Sequence, residues 1–150
     1  MHQMEGHNPA IETLRKKLRA DTTPIQRLDF GAGSQSHSET VGDVARNSLK
    51  RPRHAVALGN LSRSIQAENI LELGTSLGLT TAYLANQANT VTTCEGDPAI
   101  AALAKAQWDV LGLTNITLHE GRFSDTLPLL MEQWKKSNHP GFDLIFIDGH

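Results

Sequence analysis

The sequence predicts an α/β protein, a doubly wound parallel sheet preceded by N-terminal helices. Three observations predict it. From Asn69 onward, short apolar runs alternate with helical stretches, the pattern of a parallel sheet with helices on its faces. The first run, Asn69-Ile70-Leu71-Glu72-Leu73, turns on Gly74 and re-enters helical sequence after Gly78. Such a turn brings unpaired N–H groups and the positive end of a helix dipole to one point, where open α/β sheets bind nucleotide-like ligands. Third, Glu72, Gly74, Gly78, Glu95, Gly121 and Asp148 fall at successive strand ends in chain order.

Composition bounds the possibilities. A chain of 150 residues with 39% hydrophobic and 20% charged residues is long enough to bury a sizeable core. A net charge of −2 argues against general nucleic-acid binding and against a membrane-surface role. The lone Cys94 excludes an internal disulfide framework and a multi-cysteine zinc site. The opening residues lack the apolar core of a signal peptide, and no stretch is long enough to span a bilayer, so the expected location is the cytoplasm.

In chain order, Asn8 caps a first helix, Pro9 suits its first turn, and Ile11, Leu14 and Leu18 form its inner face. The Gly/Ser content of Arg27–Ser38 marks a loop, read as a connector, with His37 an exposed loop histidine. Val41–Leu49 reads as a helix with Val41, Val44, Ala45 and Ser48 on one side, and Lys50 and Arg51 near its C-terminus. Pro52 starts the next helix, for which Ala57, Leu58, Leu61 and Ile65 give a stripe. The second sheet strand is Thr90–Cys94. Asp97 and Pro98 then start a helix striped by Ile100, Leu103, Ala104, Trp108 and Leu111, and Gly112 ends it. Ile116–Glu120 is the third strand, followed by a loop over Gly121–Asp125 and a helix with Leu127, Leu130, Met131 and Trp134 inward. Phe142–Ile147 is the fourth strand, and it delivers Asp148, Gly149 and His150.

Glu95 lies 21 positions after Gly74, at the end of the second strand. A carboxylate there can accept hydrogen bonds from both hydroxyls of a ribose. The spacing suits NAD and S-adenosylmethionine alike. The glycine pattern separates them, because Glu72-x-Gly74-x-x-x-Gly78 is not the G-x-G-x-x-G of a dinucleotide site.

That motif, with the longer string ELGTSLGLTTAYLA, resembles motif I of the class I S-adenosylmethionine-dependent methyltransferases, the small-molecule O-methyltransferase branch in particular. Ser76 stands where the common form has a middle glycine. The resemblance implies a Rossmann-like sheet in the order 3-2-1-4. It places an N-terminal helical cap and Gly/Ser-rich loop over 1–66, and the N-terminal part of the cofactor domain over 67–150. The cofactor would be held by Glu72, Gly74, Thr75, Ser76, Gly78, Glu95, Gly121, Phe123 and Asp148. Phe123 would pack on the adenine, with Ser124 or Asp125 reaching its amino group. DLIFIDGH resembles the strand that delivers an active-site aspartate, so Asp148 would be catalytic. In metal-dependent members that aspartate binds a divalent cation such as Mg²⁺. N-terminal helices of this kind cover the cofactor or make a dimer contact. Only four of the family's strands are readable, so the chain reads as the N-terminal part of a longer protein.

The expected function is methyl transfer from S-adenosylmethionine to an oxygen of a small-molecule acceptor. Two alternatives stay open: an NAD(P)-dependent oxidoreductase, and a non-catalytic binding or scaffold fragment.

Overall fold

A computed structural model describes residues 5–28 and 36–149, the side chains of 36–38 excepted. The glycine-rich stretch 29–35, the His37 side chain and His150, which the sequence singled out, lie outside the described residues.

The centre is a parallel sheet of β3 (Asn69–Leu73), β4 (Thr90–Glu95), β5 (Ile116–Glu120) and β6 (Leu144–Ile147), in the order β5-β4-β3-β6. Counted within the sheet, this is the expected 3-2-1-4. Leu73 is in register with Cys94 and Ile147, and Glu95 with Glu120, so all four strands finish at one edge. β3 is one of the two inner strands. Ile70, Leu71, Glu72 and Leu73 are all buried, as a strand covered on both faces requires. β6 starts at Leu144 rather than Phe142. Asp143 ties off its entry, its Oδ2 accepting the Glu68 and Asn69 N–H groups at 2.9 Å each. Phe142 turns aside and packs edge-on against Trp134, ring centroids 4.6 Å apart.

Three helices follow the strands: α4 (Leu79–Ala85), α5 (Pro98–Leu111) and α6 (Phe123–Lys136). Asp97 caps α5 as its sequence position demands, its Oδ1 accepting the Ala99 and Ile100 N–H groups. Gly112 ends α5 at φ +67°, a left-handed conformation that costs glycine little. α6 absorbs Phe123, Ser124 and Asp125, which the sequence assigned to a loop. Its inward face is narrower than expected. Leu130 is buried, but Met131 is 53% exposed.

Upstream lie α1 (Pro9–Ala20), β1 (Pro24–Leu28), β2 (Ser36–Thr40), α2 (Val41–Ser48) and α3 (Pro52–Ser64). β1 and β2 pair as an antiparallel hairpin, where the sequence suggested only a connector. Their polar residues carry no alternating pattern; docking onto α5 holds them, and the Leu28 N–H donates to Asp97 Oδ2 at 2.9 Å. The inner face of α3 also differs from expectation. Ala55, Val56, Gly59 and Ser62 point inward, while Ala57, Leu61 and Ile65 are exposed. Small residues let α3 approach α4 closely: a Cβ on Gly59 would meet the Tyr83 carbonyl oxygen at 3.3 Å. One apolar cluster joins Ile11, Leu14, Val44, Val56, Leu79, Ile100 and Trp108, so α1–α3 share a core with α4 and α5. No helix among the described residues is long and apolar enough to cross a membrane.

Candidate functional site

A cavity of about 660 Å³ opens at the carboxyl edge of the sheet, within the size range of small-molecule sites. Each strand end contributes to it: Gly74 and Ser76 after β3, Glu95 to Asp97 after β4, Gly121 to Ser124 after β5, and Asp148 and Gly149 after β6. The N-terminal segments close it with Arg27, Leu28, Val44, Asn47, Ser48 and Lys50.

Glu95 is held ready before any ligand arrives. Its Oε2 accepts the Ser76 N–H at 2.9 Å, and its Oε1 accepts the Asp97 N–H at 3.0 Å. Carboxylate oxygens have lone pairs to spare, so both can still accept from a ligand's hydroxyls. Gly74 is the hinge of the β3 turn. It has φ +99°, and an added Cβ would lie 2.6 Å from the Gly149 N, so a larger residue would push β6 away. Ser76 also adopts positive φ, at +50°. Its Oγ is buried and has no hydrogen-bond partner among the described residues.

The sequence assigned the turn's N–H groups to ligand binding, but those of Gly74, Ser76 and Gly78 are engaged internally. They donate to the Cys94 carbonyl, the Glu95 carboxylate and the Thr75 carbonyl. The physical reason is that a turn this tight must satisfy its own backbone, and in doing so it fixes Glu95.

Glu72, Thr75 and Gly78 do not line the cavity. Glu72 is fully buried beneath it, and its Oε2 accepts from Thr81 Oγ1 at 2.5 Å and Thr93 Oγ1 at 2.8 Å. Thr75 Oγ1 lies 2.6 Å from Thr93 Oγ1 and extends this chain. Burial pushes the Glu72 carboxyl up to about 8, against the two threonine donors and with the help of Asp148 and Glu95. Glu72 Oε1 is left without a partner among the described residues. Gly78 is a packing glycine. A Cβ there would lie 2.6 Å from Trp108 Nε1, which donates to the Gly78 carbonyl at 2.9 Å. Trp108 is therefore core, as the sequence suggested.

Phe123 lines the cavity from the first turn of α6, and its ring edge sits where a Cβ on Gly149 would go, 2.7 Å from Cζ. Asp148 sits at the end of β6. Its N–H and that of Gly149 both donate to the Leu73 carbonyl at 2.8 Å. Asp148 Oδ1 is paired with Lys50 Nζ at 2.5 Å. Sequence reasoning placed Lys50 at a helix C-terminus and missed this contact, as it missed Arg27; nothing in local spacing links positions 27 or 50 to the strand ends.

Asp148 is also the residue that the sequence assigned to a divalent cation. Its Oδ1 faces the Lys50 ammonium, and among the described residues no three of His, Cys, Asp and Glu converge. The cavity lining fits a nucleoside bearing an amino-acid tail, with a fixed carboxylate at one strand end and, at the next, the buried Ser76 Oγ that has no partner among the described residues.

Comparison with known proteins agrees with this geometry. The sequence profile of a family described as "Methyltransferase domain" matches residues 71–150. A catechol O-methyltransferase from Niastella koreensis is 38% identical over 101 residues, covering 65% of this chain and 44% of that protein. The fold is shared with an O-methyltransferase from Bacillus cereus in complex with S-adenosylhomocysteine, at TM-score 0.68 and 23% identity, over 95% of this chain and 55% of that one. It is shared too with TomG from Streptomyces achromogenes, an O-methyltransferase in complex with S-adenosylmethionine, at TM-score 0.65 and 23% identity, over 95% and 54%. The chain spans about half the length of these relatives.

Proposed function

The chain belongs to the methyltransferase-domain family, and from that premise we propose that it is the cofactor-holding part of an S-adenosylmethionine-dependent O-methyltransferase acting on a small molecule in the cytoplasm. The observation that carries this reading is Glu95, fixed by two backbone N–H groups at the strand end beside a Ser76 Oγ that has no partner among the described residues. Glu95 holds the ribose. Gly74 gives the ligand room at the turn, Ser76 Oγ is the group offered to the amino-acid tail, and Glu72 supports the turn from beneath through Thr81 and Thr93. Gly121 and Phe123 flank the base, with Ser124 at the edge.

S-adenosylmethionine, when bound, supplies a methyl group already activated by its sulfonium. The protein's own task is then alignment of the acceptor oxygen and removal of its proton. Asp148 faces the cavity and is the group that orients the acceptor and takes that proton. The N-terminal wall of Arg27, Leu28 and Lys50 limits access of water. The name of the Niastella koreensis relative supports an oxygen of a small aromatic molecule as acceptor.

The test is calorimetric titration of the chain with S-adenosylmethionine, S-adenosylhomocysteine and NADH. Binding of the two adenosyl ligands and not of NADH is expected. Binding of NADH alone would overturn the reading in favour of an oxidoreductase. A folded chain that binds none would overturn it in favour of a scaffold.

A further inference from the structure

Lys50 lies in the linker between α2 and α3, far from Asp148 in sequence, yet the two form an ion pair at the edge of the cavity. The linker is anchored at this point. The Lys50 carbonyl accepts from Arg15 Nη1 at 2.6 Å, and Arg15 is only 5% exposed. Arg15 Nε is paired with Glu12 Oε2 at 2.9 Å, and Glu12 Oε1 accepts the Tyr83 hydroxyl at 3.0 Å. Helices α1 and α4 thus fix the backbone from which Lys50 reaches the strand ends.

The following step rests on the function proposed above. With the ribose at Glu95 and the amino-acid tail at the β3 turn, the sulfur that joins them lies over the end of β3. Asp148 is seated there, its N–H bonded to the Leu73 carbonyl. A bare carboxylate beside a sulfonium would stabilise the cationic ground state. That stabilisation is lost as the methyl group leaves and the sulfur becomes neutral, so it would raise the barrier. An ammonium on the carboxylate cancels it.

We propose that Lys50 is a positioning residue at the cofactor's sulfur: as the counter-charge of Asp148, it sets how strongly the site prefers cationic S-adenosylmethionine over neutral S-adenosylhomocysteine. The two ligands differ by one methyl group and one positive charge, so their affinity ratio reads the local field. The pair is partly solvated, with side-chain exposures of 36% and 22%, which keeps the effect moderate.

The experiment is calorimetric titration of the 150-residue chain with both ligands, in EDTA and low salt, after circular dichroism has shown that each variant folds. Lys50→Met should raise the S-adenosylmethionine preference roughly 5- to 10-fold. Lys50→Arg, which keeps the charge, should leave it unchanged. Asp148→Asn exposes the sulfonium to an unpaired ammonium and should lower the preference; it carries the test by itself if Lys50→Met does not fold. In the Asp148→Asn background, Lys50→Met should not raise the preference above that of the unsubstituted chain. If Lys50→Met weakens both ligands equally, or Asp148→Asn leaves the ratio unchanged, Lys50 is only a tether and the inference is overturned. If the unsubstituted chain binds neither ligand, the function proposed above falls, and this inference with it.

Discussion

The two walls of the cavity are built by different means. The β3–β4 wall is made of neighbours in the sheet. Glu72 is buried under it, Thr75, Thr81 and Thr93 complete a hydrogen-bonded chain, and backbone N–H groups pin both oxygens of Glu95. The opposite wall is gathered from Arg27, Lys50 and Asp148, three distant parts of the sequence. It is held by two ion pairs that stay partly in water, Arg27 to Glu39 at 3.0 Å and Lys50 to Asp148, and by a long contact of 3.7 Å from Arg27 to the buried Asp97. Buried networks resist change because every unpaired member is costly, whereas solvated pairs are worth little each. A site built this way fixes the part of its ligand that never varies and leaves the facing side adjustable.

If that contrast is right, substitutions on the sheet wall should have large effects and those on the other wall small ones. The largest is expected at Gly74→Ala. It combines positive φ with a Cβ driven into the backbone of Gly149, and thermal melting should show a loss of about 3 kcal/mol. Next is Glu95→Ala, which removes a charged acceptor of two ligand hydrogen bonds. Calorimetry should show S-adenosylhomocysteine bound roughly 10- to 100-fold more weakly, and unchanged affinity would remove Glu95 from the site.

Glu72 makes the stability of the sheet wall depend on pH. Burial holds its folded carboxyl at about 8, above the ordinary 4.5 of a glutamate, so the folded state holds a proton that the unfolded state releases. That contribution is full below about pH 4.5 and is lost as pH rises through about 8. Melting temperatures measured between pH 5 and pH 8.5 should therefore fall, and Glu72→Gln should flatten the slope over that window. The smallest effect is expected at Arg27→Ala, whose pair with Glu39 is partly exposed and whose contact with Asp97 is long, and it should cost less than about 1 kcal/mol in the same melts. A loss as large as that of Gly74→Ala would erase the distinction between the walls.

What could be read from the sequence follows the same division. The strands at Ile70 and Val91, the Asp97 cap and the Gly112 stop are written in local residue order, and the structure has them where the order puts them. Gly74, Ser76, Glu95, Gly121, Phe123 and Asp148 were also legible, because each sits at a strand end and the sheet brings strand ends together. The hairpin of β1 and β2 was not legible. Its polar residues owe their strand conformation to docking on Asp97, which no short-range pattern records. The face of α3 was misassigned because close packing on α4 selects small residues, Ala55, Gly59 and Ser62, over the larger Leu61 and Ile65. Lys50 escaped notice because its partner is a hundred or so positions away and only the fold makes them neighbours.

The central claim is that the cofactor lies on the β3–β4 wall. It is tested most directly by following the backbone amide resonances of the ¹⁵N-labelled chain during titration with S-adenosylhomocysteine. The account predicts the largest shifts at Gly74, Ser76, Glu95, Asp97, Gly121 and Gly149, with little change at Asn8, Asn86 and Gln87, which line a second groove on α4. Shifts concentrated at that second groove, with the Ser76 and Glu95 amides unmoved, would contradict it.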